Sequence, residues 1–317
     1  MNRNSRKTKK EKMDWLADIA EGTLSLDARA SKVVRDLLDD PDAQVRAEAV
    51  ACLWNSSDPA WIDILIDKAQ RDANLDVRAR ALSALGHYIY EKEAAAYLGE
   101  WGEGEKLISE RDLERLLNFL FSVAHSEHAG VDERRYAIES LAFLDDPEVD
   151  ALIEWAYEQS DTRFRVSALF AMGRTGDLRW ADPVLAELHA ANREVQYEAV
   201  RAAGELGLHE ATDDLIRMAR GRGVDKQLRL IAIYSLGEAG DDRAYPILQE
   251  LSHARDREVR EAAREAVEEW LIASVSEQLD GNDEDDDVWP DNANSIDYDI
   301  EFGKDIWDNV MGTFSLN

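Results

Sequence analysis

The stretch DTRFRVSALFAMGRTGD, residues 161–177, decides the fold. It opens on Asp161, whose side chain can accept hydrogen bonds from the free N–H groups of a following helical turn. Phe164 anchors the helix, and Ala168, Leu169 and Met172, four, five and eight residues further on, complete one buried stripe. Ala171, seven past the anchor, is small enough to let a neighbouring helix come close. Gly173, Gly176 and Asp177 read as a helix end and tight turn, because glycine tolerates positive φ. The same order returns at residues 42–46, 74–78, 192–196, 225–229 and 256–260, with a weaker copy from Gly130 in which Glu133 and Arg134 take the anchor places. The anchors Val45, Val77, Glu133, Phe164, Val195, Leu228 and Val259 are 32, 56, 31, 31, 33 and 31 residues apart, seven units with one long gap. Seven past each anchor the residue is always small: Cys52, Ala84, Ser140, Ala171, Ala202, Ser235 and Ala266.

Between these helices, residues 27–38, 59–70, 112–124, 147–158, 181–190, 210–220 and 243–253 are expected to form partner helices, several introduced by Asp-Pro or Pro in the first turn, as at Asp58-Pro59, Asp146-Pro147 and Asp182-Pro183. One such pair cannot bury its apolar face alone, so neighbours must stack into a superhelix. The expected fold is all-α, an α-solenoid of about seven helical pairs with a disordered acidic C-terminal tail. Residues 1–12 are expected to be a basic disordered tail, 13–275 the solenoid, and 276–317 an acidic linker with a C-terminal docking motif. The long gap makes residues 87–111 an insertion. There, residues 88–98 prolong the preceding helix, Gly99, Gly102 and Gly104 surround Trp101 in a loop, and Ser109-x-x-Asp112 caps the next helix.

The chain has 317 residues, 45% hydrophobic and 33% charged, which excludes collagen-like and wholly disordered classes. No apolar run approaches the length of a membrane span, and Asp14 and Asp18 interrupt the stretch a signal peptide would need, so the expected location is cytoplasmic. One cysteine, Cys52, allows no internal disulfide framework and no thiolate zinc site. Of the net charge of -30, residues 1–12 contribute six bases against Glu11 and residues 277–317 thirteen acids against Lys304, leaving -23 on the body. Such a field repels phosphate backbones and anionic lipid, so neither nucleic acid nor membrane is an expected partner. A basic protein is favoured, with solubility as the simpler role of the charge.

The Asp-x-x-Val-Arg opening, Ala-rich helix, Leu-Gly and Gly-Asp close resemble the HEAT-like repeats first associated with phycobilisome lyases, over residues 25–273. The resemblance implies a protein-binding scaffold, and it implies that Asp and Arg link adjacent units, through Asp161 with Arg165 and Asp225 with Arg229 or their counterparts next door. Gln196 and Glu133 depart from that pattern and are expected to weaken the ladder locally. Fold does not carry lyase activity with it. A metal-dependent HEAT-class hydroxylase is expected to repeat His-Glu pairs at matching positions, and only His209-Glu210 is such a pair. His125-Ser126-Glu127-His128 reads as a solvated turn, and no phosphate loop, nucleophile elbow or HExxH occurs. The expectation is therefore a non-enzymatic chain without metal or cofactor. Its alternatives are an acidic inhibitor or immunity-type protein neutralising a basic toxin or nuclease, and a phycobilin lyase or hydroxylase relative.

Places two, three, six and ten past the anchor are expected to face outward along the second helices. In the first two units they hold Ala47, Glu48, Ala51, Ala79, Arg80 and Ser83; later they become Arg135, Tyr136, Phe143, Val166, Phe170, Tyr197, Arg201, Leu230 and Tyr234. An aromatic and arginine row is the composition of protein-binding hot spots. The candidate contacts are Tyr136, Phe143, Phe170, Tyr197, Arg201 and Tyr234, with Trp101 of the insertion. The alternative register packs these side chains between helices. In the tail, Ile296, Tyr298, Ile300 and Phe302 alternate with acids, and Ile306, Trp307, Val310, Met311 and Phe314 follow helical spacing. Tyr298, Phe302 and Trp307 are the candidate contacts of a motif that straps the solenoid or adds to a partner.

Overall fold

The computed structural model describes residues 7–20, 22–54, 56–98 and 108–280. Contacts divide the chain into a compact unit ending at Ser274 and a second beginning at Val275. The first holds helix α1 (Lys9–Ala20) and seven helical pairs: α2 (Ala28–Leu37) with α3 (Ala43–Ala51), α4 (Ile62–Arg71) with α5 (Leu75–Leu98), α6 (Glu110–Ala124) with α7 (Val131–Leu141), α8 (Pro147–Tyr157) with α9 (Thr162–Thr175), α10 (Ala181–Glu187) with α11 (Arg193–Glu205), α12 (Thr212–Arg220) with α13 (Lys226–Glu238), and α14 (Tyr245–Leu251) with the part of α15 (Arg257–Asp280) up to Ser274. The fold is an all-α solenoid. Short 3-10 turns at Pro59–Trp61, Leu178–Trp180 and His209–Ala211 lead into α4, α10 and α12. None of the described helices is long and apolar enough to cross a membrane.

Each second helix starts as its opening residue dictates. Asp42, Asn74, Asp161, Asn192, Asp225 and Asp256 accept from the backbone N–H two or three residues on. Ser109 caps α6 in the same way, through the N–H of Asp112. Residues 88–98 do prolong α5. The apolar stripe of each helix is buried; Val45, Val77, Ala168, Leu169, Ala232 and Leu236 are closed to solvent.

The arginine one past the anchor keeps an inter-unit pair at Arg46 with Asp72, Arg78 with Glu133 and Arg165 with Glu187, and it has a second task besides the expected ladder. Asp161 pairs with Arg163 at 2.8 Å, and Asp225 pairs with Arg193 at 3.5 Å, not with Arg165 and Arg229. Arg46, Arg78, Arg134, Arg229 and Arg260 donate to carbonyls at the end of the first helix of their own pair: Asp40, Asp72, Ala124, Ala219 and Ala254, at 2.7–3.0 Å. A cation there suits both the unpaired carbonyls and the negative end of the helix dipole. Gln196 makes the same bond, to Leu188 at 2.9 Å, so it does not weaken the array, and Glu133 accepts Arg78 across to the next unit at 2.9 Å. Units are also joined by Arg46 to Asp72 at 2.8 Å and Arg163 to Asp132 at 3.1 Å.

The contacts of α5 with α7, α9 with α11, α11 with α13 and α13 with α15 each bring a glycine against a small residue. A Cβ added at Gly86 would stand 2.9 Å from the Cα of Ser140, at Gly173 3.1 Å from that of Ala202, at Gly204 2.6 Å from that of Ser235, and at Gly237 2.8 Å from that of Ala266. The sequence reading assigned these glycines to helix ends. Gly173, Gly204 and Gly237 do stand in the last turn of α9, α11 and α13, Gly86 lies in the middle of α5, and the positive φ belongs to the second glycine of each turn, Gly176, Gly207 and Gly240, at 64°, 62° and 69°. The Gly86 contact, with Ser140 Oγ donating to Leu82 O at 2.9 Å, stacks the second pair directly on the third despite the insertion.

The two ends of the stack are closed differently. Helix α1 was not expected, and its first turns correct the disordered tail for residues 9–12. Lys9 pairs with Asp42 and Lys12 with Asp40, while Leu16 and Ile19 are buried. Cys52, in the place that elsewhere receives the preceding repeat's glycine, donates its thiol to Leu16 O at 3.2 Å. Burial pushes that thiol up to about 12, which keeps it an inert core residue. At the far end, the places that hold Val200 and Gly204, or Ile233 and Gly237, hold exposed Arg264 and Glu268 in α15. A polar outer face suits a terminal repeat.

Candidate functional site: the second-helix face

The face formed by α3, α5, α7, α9, α11 and α13 carries the candidate contacts, and the structure separates them into two groups. Tyr136, Phe143, Tyr197 and Tyr234 are half-buried, packed on the core yet reaching solvent. Phe170 at 6% exposure and Arg201 at 1% lie between helices, which corrects their expected outward placement. Ala47, Ala79, Ser83 and Val166 are buried as well, against the same expectation. The cause is the close approach at the glycine seams, which leaves so little room between successive second helices that side chains of one unit close over those of the next. Trp101, Tyr298, Phe302 and Trp307 lie outside the described residues.

Beneath the aromatic row run charged networks that the sequence reading missed. On α7, Arg135 donates to Asp132 at 2.9 Å and to the Tyr136 hydroxyl at 2.7 Å, with its guanidinium 4.0 Å from the centre of that ring. Its second carboxylate is Glu139, which also accepts from Ser167 of α9. Burial raises the Glu139 carboxyl, opposed by Arg135 and Ser167. On α11, Arg201 pairs with Glu198 at 2.8 Å and with Glu205, and lies 4.5 Å above the ring of Phe170. Arg174 shares both partners, 3.2 Å from Glu205 and 5.4 Å from that ring. Burial would lower the Arg201 pKa, and the fields of Glu198 and Glu205 outweigh it, so the guanidinium is held charged. Desolvation pushes Tyr136 and Tyr197 up to about 12, so both hydroxyls stay neutral and able to donate. Tyr234 already donates to Glu265 at 2.8 Å. The signal that would have found the networks is Glu139, Glu198, Glu205 and Glu238 recurring within otherwise apolar, small-residue helices.

Toward the first repeats the face becomes aromatic. Trp54 lies 5.2 Å from His87, and Tyr90 meets Phe143 edge-on at 5.4 Å. His87 pairs with Glu91 at 2.9 Å, and Ser57 donates to the same carboxylate at 2.6 Å, so serine and histidine both turn to the acid and not to each other. That geometry differs from a nucleophile and its base. His209 bonds Ala239 O at 2.9 Å and His125 pairs with Glu148 at 2.8 Å. Among the described residues no group of three or more His, Cys, Asp and Glu side chains could hold a metal ion.

Comparison with known proteins agrees with this architecture. The family model for HEAT repeats matches residues 31–106 and 181–268. Among solved structures, the complex of CpcE and CpcF of phycocyanin lyase from Nostoc sp. PCC7120 is 18% identical, covers 78% of this chain and 88% of that one, and superposes with a TM-score of 0.51. Human deoxyhypusine hydroxylase in complex with glycerol is 17% identical over 84% of this chain and 92% of its own, with a TM-score of 0.38. The Kap95:Nup1 complex is 14% identical over 87% of this chain and 40% of its own, with a TM-score of 0.46. Identities of this order speak to fold alone. No curated protein sequence matches the chain significantly. Matched over more than half its length by the family model, and built from stacked helical pairs joined through glycine seams, the chain belongs to the HEAT repeat family.

Proposed function

We propose that this chain is a non-catalytic, cytoplasmic scaffold that binds a partner protein along its second-helix face, with Tyr136, Phe143, Tyr197 and Tyr234 as the contacts. The observation that carries the reading is the row of half-buried aromatic side chains, with the Tyr136 ring over Arg135, Phe143 against Tyr90 and the Tyr234 hydroxyl bonded to Glu265, beside arginines and carboxylates that already pair with one another. Rings fixed in this way lose little freedom on binding, which is how tyrosine serves as an anchor. Phe170 and Arg201 support the row from below. The net charge of -30 favours a partner with a basic surface, through steering more than through affinity. Trp101, Tyr298, Phe302 and Trp307 are proposed as additional contacts outside that face.

The test is affinity capture from a native extract with the full chain and with a Tyr197→Ala/Tyr234→Ala variant. The variant is expected to stay folded and keep its helicity, melting somewhat lower because both rings pack partly on the core, while losing the captured partner, and weaker capture at high salt is expected for a basic one. Equal capture by the two proteins would remove the face from the binding role, and a large loss of stability would make the tyrosines core residues.

A further inference from the structure

Ten residues past the anchor, the fourth to seventh units carry Arg174, Glu205, Glu238 and Glu269. Glu205 lies over Gly173 of the preceding unit and has two cations, Arg201 from its own helix and Arg174 from the unit before. Glu238 lies over Gly204 in the same manner, its Oε2 2.7 Å from where a Cβ on that glycine would be. The two places that supply cations to Glu205 supply none to Glu238. Six past the anchor, where α11 has Arg201, α13 has Tyr234, whose hydroxyl is donated to Glu265. Ten past the anchor in the preceding unit, where Glu205 finds Arg174, Glu238 finds Glu205 itself. Among the described residues Glu238 has no hydrogen-bond or ion-pair partner.

We propose that the seam between α11 and α13 is a pH-sensitive joint, closed while Glu238 carries its proton and loosened when that carboxyl ionises. The groups whose fields act on it are Arg174 of α9, Tyr197, Arg201 and Glu205 of α11, and Glu269 of α15, with Tyr234 one turn back on its own helix and bonded to Glu265 of α15. Arg201 pairs with Glu198 and Glu205 and Arg174 with Glu205, while Arg201 Nη2 and Arg174 Nε make no hydrogen bond. From α12 and α14 buried Leu215, Met218, Leu248 and Leu251 line the pair's core. The charges of those two helices are paired away from the seam, Asp213 with Arg243, Asp214 with Arg217 and His189, and Arg220 with Glu250. An ionised Glu238 would add a further negative charge beside Glu205 and Glu269 in a half-buried seam, one that Arg174 and Arg201 offset only in part.

Burial first, then Glu205, pushes the Glu238 carboxyl from its ordinary 4.5 up to about 8, against the pull of Arg174 and Arg201. The native value is the higher one, so the native chain holds the extra proton between the two. Its stabilising share is whole below about 4.5, declines as pH rises, and is gone above about 8.

Amide hydrogen exchange of the full chain, corrected for the intrinsic effect of pH, reads this directly when compared at about pH 6 and about pH 9. Amides of α13 and α15 are expected to exchange about tenfold faster at the higher pH, relative to those of α7 and α9. Glu238→Gln, a permanently neutral isostere, is expected to remove the difference. Tyr234→Arg, which places a cation where Arg201 stands one repeat earlier, is expected to remove it too. An unchanged ratio in the native chain, or a full response in Glu238→Gln, overturns the proposal. Should that variant fail to fold, a carbon NMR titration of the native Glu238 carboxyl decides, and a midpoint below about 6 overturns it equally.

Discussion

At Gly204 a methyl group would have to share space with the Ser235 Cα, 2.6 Å away, and with the Glu238 carboxylate. The neighbour is backbone and cannot swing aside, so Gly204→Ala is expected to destabilise by about 1–2 kcal/mol even after the gain in helix propensity. Gly223→Ala, with nothing near its position, is expected to change little, and urea denaturation of the two variants checks the contrast. Arg201 presents the opposite case, a buried cation between two carboxylates. Arg201→Met strands Glu198 and Glu205 and is expected to cost about 3–5 kcal/mol in the same measurement, part of it recovered at low pH as the carboxylates protonate. Neither role was legible from the residue alone. Gly204 reads as a helix terminator until its neighbour is known, and Arg201 reads as a surface contact until the width of the face is known. The partly open placement of Tyr197 and Tyr234 was legible because a tyrosine satisfies both the apolar period and the polar surface.

At the scale of a helix, what sequence period and capping chemistry dictate was readable, and what depends on partners was less so. The seven second helices follow from Asp or Asn openings and from the apolar stripe, and all but the Gly130 copy use a side-chain cap. Helix α1 escaped because three of its first four residues are lysines, which read as a tail, whereas Met13, Leu16 and Ile19 behind them bury on the first pair. The arginine past each anchor ties the two helices of a pair together through the end of the first. Arg229→Met removes the bond to Ala219 O and is expected to cost about 1.5–3 kcal/mol, read as a lowered unfolding midpoint. Gln196→Met is expected to cost less, since an uncharged donor makes the same bond.

For the whole molecule, the repeat period settles the stacking, and the terminal helices limit it. Arg264 and Glu268 stand where every seam from the fourth pair onward has an aliphatic residue and a glycine. Replacing them with isoleucine and glycine recreates an open seam, and the variant is expected to self-associate with rising concentration in analytical ultracentrifugation, while the native chain is not. The surface left open by the second helices was legible only in outline, because which side chains stay open depends on how tightly successive second helices approach, a distance no single repeat encodes.

The arginine and glutamine locks span only six to ten residues of chain and lie entirely within one pair. Each hairpin can therefore clasp itself as it leaves the ribosome, before its successor has been translated. The glycine seams are made afterwards, one at a time, so synthesis from the N-terminus assembles the array in order on the template already offered by α1.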